Sequence, residues 1–207
     1  MEYSMLSKGA SAEIVEKKSR FIATIRPVCS EEEAQSFVEE MKKKYYDARH
    51  NCWAYSIGPM GEISKCSDDG EPSGTAGRPM LEVINGSQIR NIAVVVTRYF
   101  GGVLLGTGGL VRAYQSATKE ALLLCETVQQ CFGVKFSIQT DYNSIGKIQY
   151  LLANHPAKTL DVLYEADAVF TVITPKEDYP LLCREITEAT SAKAILTEKE
   201  RGYYLFN

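Results

Sequence analysis

Five of the eighteen residues from Thr97 to Tyr114 are glycines, and the same stretch carries Arg98 and Arg112. Glycine clusters where the chain must take positive φ or where something must approach the backbone closely. At the start of a helix such a turn leaves N–H groups pointing outward, a natural cradle for phosphate. The surrounding charge suits that chemistry. No Asp or Glu lies between Val83 and Lys119, whereas Arg90, Arg98, Arg112 and Lys119 are cationic. Arginine is well shaped for bidentate phosphate contact, and Tyr99 and Phe100 add aromatic faces on which bases can stack.

Spacing excludes two phosphate-binding motifs. A P-loop requires a lysine after its second glycine, and none follows here. The dinucleotide fingerprint GxGxxG is also broken, because Gly106-Thr107-Gly108 runs into Gly109-Leu110-Val111. A generic glycine-rich strand-to-helix turn remains, for which close helix–sheet packing is the competing explanation.

A second constellation is Ser67-Asp68-Asp69-Gly70-Glu71-Pro72-Ser73-Gly74-Thr75-Ala76-Gly77. Its acids lack the alternating ligand spacing of a calcium loop, while Ser73, Gly74, Thr75, Gly77 and the following Arg78 suit an anion nest. His50 and Cys52 share one face of a strand, but no orienting group or oxyanion site accompanies them. They read as a surface or hydrogen-bonded histidine and a packed thiol.

The totals bound the remaining options. A net charge of −3 leaves nucleic-acid binding dependent on a local patch. Six scattered cysteines without CxxC spacing, and only His50 and His155, argue against structural zinc. No cofactor and no metal are expected. The first residues lack a signal-peptide pattern, and no apolar run reaches the roughly 20 residues of a membrane span. A cytoplasmic protein with no membrane partner is the expectation.

These groups must be positioned by a coarse β and α pattern. Strands are predicted at 12–16, 19–28, 52–57 and 92–96, the last with the uninterrupted apolar run of a strand covered on both faces. Ser30 and Glu33 form a capping box ahead of a helix whose apolar face is Ala34, Phe37, Val38, Met41 and Tyr45. Lys42, Lys43 and Lys44 read as its solvated end. Residues 58–77 read as a long loop, and helices follow at 78–89 and 108–125. The order suggests an α+β sandwich with helices on one sheet face. After Gly133 the pattern restarts as βαββαβ: strands at 134–140, 159–165, 168–174 and 193–205, and helices at 143–154 and after Pro180. That order matches a ferredoxin-like unit. Two domains are therefore expected, 1–132 and 133–207.

Three long motifs resemble the IMPACT/YigZ family: Arg49-His50-Asn51-Cys52-Trp53-Ala54-Tyr55, the 67–77 segment, and Val94-Val95-Val96-Thr97-Arg98-Tyr99-Phe100-Gly101-Gly102. Leu105-Gly106-Thr107-Gly108-Gly109-Leu110-Val111-Arg112-Ala113-Tyr114 extends the match, which covers roughly the first 130 residues. The resemblance implies an α+β fold: a ribosomal-protein-like βα sandwich akin to domain IV of elongation factor G, followed by a ferredoxin-like domain. In eukaryotic relatives it implies translational regulation through protein contacts that oppose an initiation-factor kinase. The expected function is a non-enzymatic, translation-linked regulatory protein binding RNA, the ribosome or a translation-factor partner. Its expected surface combines Arg78, Arg98, Arg112, Lys119 and Tyr99 with Gly101, Gly102, Gly106, Gly108, Gly109, Ser73 and Thr75. The alternative is a small-molecule phosphate-binding enzyme or sensor using the same turn.

Overall fold

Alternating burial along Ser19–Pro27, with Phe21, Ala23 and Ile25 inward, shows how the first domain organises its sheet. The structure is a computed structural model and describes residues 2–206. It divides the chain between Val128 and Gln129.

The first unit contains β1 (Glu2–Lys8), β2 (Ser11–Glu16), β3 (Ser19–Pro27), α1 (Glu31–Lys44), β4 (His50–Ile57) and β5 (Ile63–Ser67). It continues with α2 (Gly77–Ser87), the short β6 (Ile89–Arg90), β7 (Ile92–Tyr99) and α3 (Thr107–Leu123). Five strands form an antiparallel sheet in the order β2-β3-β7-β4-β5. β1 runs parallel to β6.

Helices cover both faces of this sheet, rather than one as the element order suggested. On one face Ala34, Phe37, Val38 and Met41 of α1 pack on Tyr55, Ile57, Ala93 and Val95. On the other, Met80 and Ile84 of α2, with Leu110, Tyr114, Ala117 and Ala121 of α3, pack on Phe21, Ala23, Cys52 and Ala54. Alternate residues of β7 feed the two cores, Ile92, Val94 and Val96 one way and Ala93 and Val95 the other. That double burial is why its sequence shows no polar alternation.

Ser30 caps α1 by accepting the Glu33 N–H at 3.2 Å, and the Glu33 carboxylate accepts the Cys29 N–H at 2.7 Å. Lys42 leaves the solvated lysine cluster to pair with Asp69 at 3.2 Å. The predicted 58–77 loop contains β5, whose exposed residues pair antiparallel with β4. Its polar composition suits an edge strand with little apolar surface to bury.

The predicted strand at 134–140 is the end of a longer β8 (Glu126–Thr140). After a 3-10 turn at Tyr142–Ser144 follow α4 (Ile145–Asn154), β9 (Lys158–Tyr164), β10 (Ala168–Pro175), α5 (Tyr179–Ala189) and β11 (Ile195–Leu205). The strands are antiparallel neighbours in the order β11-β8-β10-β9, the arrangement of a split βαβ unit. Phe136, Ile138, Phe170 and Val172 present one face to Ile148, Leu152, Leu182 and Ile186 of the two helices.

Candidate functional site

The three sequence motifs converge at the ends of β4 and β7 and the start of α3. Arg98, one residue from the end of β7, donates from Nη1 to Glu71 Oε1 at 2.6 Å. The Tyr114 hydroxyl, about two turns into α3, donates to the same oxygen at 2.9 Å. The Arg98 and Glu71 side chains are only 8% and 3% exposed. The guanidinium lies 5.4 Å from the Phe21 ring centroid and 5.6 Å from that of Phe100. Arg98 is therefore a neutralised interior cation, and it contributes no open charge to the surface expected from the sequence.

The same network holds Cys52, whose sulfur lies 2.9 Å from the Asp68 carbonyl and 3.3 Å from the Tyr114 hydroxyl. Burial pushes both the Cys52 thiol and the Tyr114 phenol far up, so both stay protonated. A thiolate nucleophile is not available there. His50 Nδ1 lies 2.9 Å from the Asp69 carbonyl, and Thr97 donates to Asn51 Oδ1 at 2.7 Å.

Asp68 organises the acidic loop. Its carboxylate accepts the N–H groups of Gly74 at 2.8 Å and of Ala76 and Gly77 at 2.9 Å each. The last two open α2, whose N-cap Ala76 has no side-chain oxygen of its own, so the acid caps the helix from outside. Burial raises the Asp68 carboxyl, but the backbone donors outweigh it and hold the group below the ordinary carboxylate range. The predicted anion nest is thus filled by the protein's own carboxylate. Thr75 is buried and donates to the Pro72 carbonyl at 2.7 Å, Ser73 is exposed, and Arg78 pairs with Glu82 at 3.3 Å.

The glycine run divides into two kinds of position. A Cβ on Gly101 would sit 2.0 Å from the Lys18 carbonyl carbon, so close approach demands that glycine. Gly102 and Gly106 have φ of +84° and +74° with open space around them, so backbone conformation demands those. Gly109 abuts Leu105, and Gly108 faces only the Arg112 side chain. Beside these glycines the loop displays Phe100, Val103 and Leu104, which are 48%, 42% and 83% exposed.

α3 starts at Gly106 without a side-chain cap and with no acid in its first turn. Arg112 is exposed and has no hydrogen-bond or ion-pair partner among the described residues. With Lys17, Leu105 and Gly109 it lines a cleft of about 350 Å³ whose floor includes Ile14 and Ala113. Lys119 lies about two turns further along the same face of α3, in a separate groove of about 590 Å³ shared with Glu82, Val83 and Leu123. Tyr99 is tied to Asp47 at 2.8 Å beneath Arg20, 5.5 Å from its ring centroid.

The structure therefore brings Arg112, Gly106, Gly108 and Gly109 together and separates Lys119, Arg78 and Arg98 from them. Sequence reasoning missed Lys17, Lys18 and Leu104. The two lysines occupy a β2–β3 turn at positive φ, and only the packing of Gly101 against Lys18 brings that turn to the site. Among the described residues no helix is long and apolar enough to cross a membrane.

A helix-flanked five-stranded sheet followed by a βαββαβ unit defines a two-unit α+β protein whose motif residues gather at one strand-to-helix turn. Residues 17–122 match the Impact N-terminal domain, and residues 138–193 match a domain of unknown function, DUF1949. The chain belongs to the IMPACT family. It is 38% identical to IMPACT family member YvyE of Bacillus subtilis, over 97% of this chain and 93% of that protein. The protein IMPACT homolog of Dictyostelium discoideum is 40% identical over 57% of this chain and 35% of its own length. A crystal structure described as that of a hypothetical protein superposes with a TM-score of 0.64 at 32% identity, covering 96% of this chain and 98% of the other.

Proposed function

We propose that this chain is a translation-linked regulatory protein that acts by binding, with RNA, the ribosome or a translation factor as its partner. The family resemblance supports the translational link. The observation that supports binding at the glycine turn is the uncapped start of α3 beside Arg112 and Lys17, neither paired among the described residues. Unpaired helix N–H groups and cations together favour a negatively charged partner. Such a role belongs to the cytoplasm.

Co-sedimentation with ribosomes over a salt series tests this reading. Association should fall as salt rises, and Arg112→Gln should weaken it and flatten the salt dependence. Absence of association even at low salt would overturn it. The cleft beside Arg112 favours a second reading, a sensor of small phosphorylated molecules. Nucleotides and sugar phosphates should then raise the melting temperature in proportion to their occupancy, and the lack of any shift would remove this reading.

A further inference from the structure

We propose that the 100–106 loop and the cleft beside it dock an acidic, amphipathic segment of a partner protein. This narrows the binding reading above and rests on it, by naming the partner's chemistry at the same turn.

Leu104 is 83% exposed, and Phe100 and Val103 are each more than two-fifths exposed on the same short loop. Single exposed apolar residues are ordinary, but these sit together beside a concave surface. Val15 adds to the patch from β2, at 63% exposure, and lines the cleft with Ile14, Leu105 and Ala113. Gly102 and Gly106, both at positive φ, bracket the three aliphatic residues of the loop tip. Leu105 packs against the core, but no packing inside the unit accounts for aliphatic side chains at the exposed Val103 and Leu104.

Charge identifies the occupant. Lys17 and Arg112 line the cleft, and Lys18 is exposed on the adjoining turn. Of the nearby acids, Glu13 is held in a bidentate pair with Arg20, at 2.8 and 3.0 Å. Glu16 is the one carboxylate among the cleft-lining residues. Two cations against one acid line the cleft, with Lys18 exposed beside it, so an incoming segment gains by carrying carboxylates. The apolar share of the surface favours protein over RNA. Bases are recognised by stacking and by hydrogen bonding at their edges, and Val103 and Leu104 offer neither. An aliphatic or aromatic anchor seated in the cleft, with carboxylates reaching Lys17 and Arg112, uses both halves of the surface.

The test is amide NMR on the full chain, titrated with short synthetic peptides. One alternates Asp or Glu with Leu and Phe. A second replaces its acids by lysine, and a third replaces its apolar residues by serine. Single-stranded RNA and vesicles of mixed anionic and zwitterionic phospholipid are titrated in parallel. The acidic amphipathic peptide should shift residues 14–18 and 100–113 saturably. Leu104→Ser and Arg112→Gln should each weaken its binding about fivefold or more. Added salt should erase the effect of Arg112→Gln but leave that of Leu104→Ser. The proposal is overturned if no peptide perturbs these residues, if the lysine or serine peptide binds equally, or if Leu104→Ser is silent. Perturbation by RNA or vesicles in place of the acidic peptide also overturns it. Ribosome association without peptide binding removes this proposal alone, and peptide binding without ribosome association removes the translational reading alone.

Discussion

The acidic loop and the glycine loop lie side by side, and they spend their polar groups in opposite ways. Around Glu71 the polar groups face inward: Arg98 Nη1 and the Tyr114 hydroxyl both donate to the buried Glu71 carboxylate, out of reach of water. Around Leu104 the situation is reversed, with an uncapped helix start, unpaired cations and aliphatic side chains in solvent. Both regions carry family motif residues. One shapes the turn, and the other presents what the turn is shaped to display. A recognisable motif can therefore be structural in one half and available for binding in the other.

The largest expected break in this comparison comes from Glu71→Ala. It strands the Arg98 guanidinium in the interior and should cost about 3–5 kcal/mol. Urea unfolding of the first unit, followed through its single tryptophan, Trp53, measures the loss. Combining it with Arg98→Met should recover part of the loss, since no buried charge then remains. An unchanged midpoint for Glu71→Ala alone would mean the network is not sealed.

Gly101→Ala comes next, at roughly 3 kcal/mol, because its Cβ would overlap the Lys18 backbone and two segments must part. Gly102→Ala meets no atom and should cost only about 1 kcal/mol for its positive φ. Equal melting temperatures for the two variants would erase the distinction between a packing glycine and a conformational one.

Asp68→Asn should cost about 1–3 kcal/mol at neutral pH. The folded Asp68 carboxyl is held below its unfolded value, so its stabilisation is complete above the ordinary carboxylate range. It fades as pH falls through that range and below, as the group protonates in the folded state. The stability gap between the parent chain and Asp68→Asn should therefore narrow on acidification, and a gap independent of pH would contradict the capping role. The smallest effects belong to the open region. Arg112→Gln and Leu104→Ser should leave stability within about 0.5 kcal/mol, with losses confined to binding. A large drop in melting temperature for either would show that the loop is part of the core.

Local signals were legible where one residue's environment is set by its neighbours in sequence. The Ser30 and Glu33 cap, the doubly buried β7 and the βαββαβ order of the second unit all follow from short-range patterns. β1 was missed because Leu6 is the one fully buried side chain among its described residues, and β5 was hidden within a polar loop because an edge strand with little buried surface leaves no apolar period to read. Placing α1 opposite α2 and α3 required knowing which face of the sheet each helix covers. No count of apolar residues states that.

Sequence alone established the family, through motifs that resemble it, the two-part α+β plan, through the order of its elements, and the acid-free character of the stretch through Arg112. Those properties belong to residues taken in order along the chain. Only the tertiary structure decided which cations are free. Arg98 and Glu71 stand 27 positions apart and meet only because the 67–77 loop folds back over the end of β7. Lys17 and Arg112 share a cleft for the same kind of reason, since Gly101 lets the β2–β3 turn close against the glycine loop. A charge gains or loses its function according to its nearest partner in space, and that distance is set by packing.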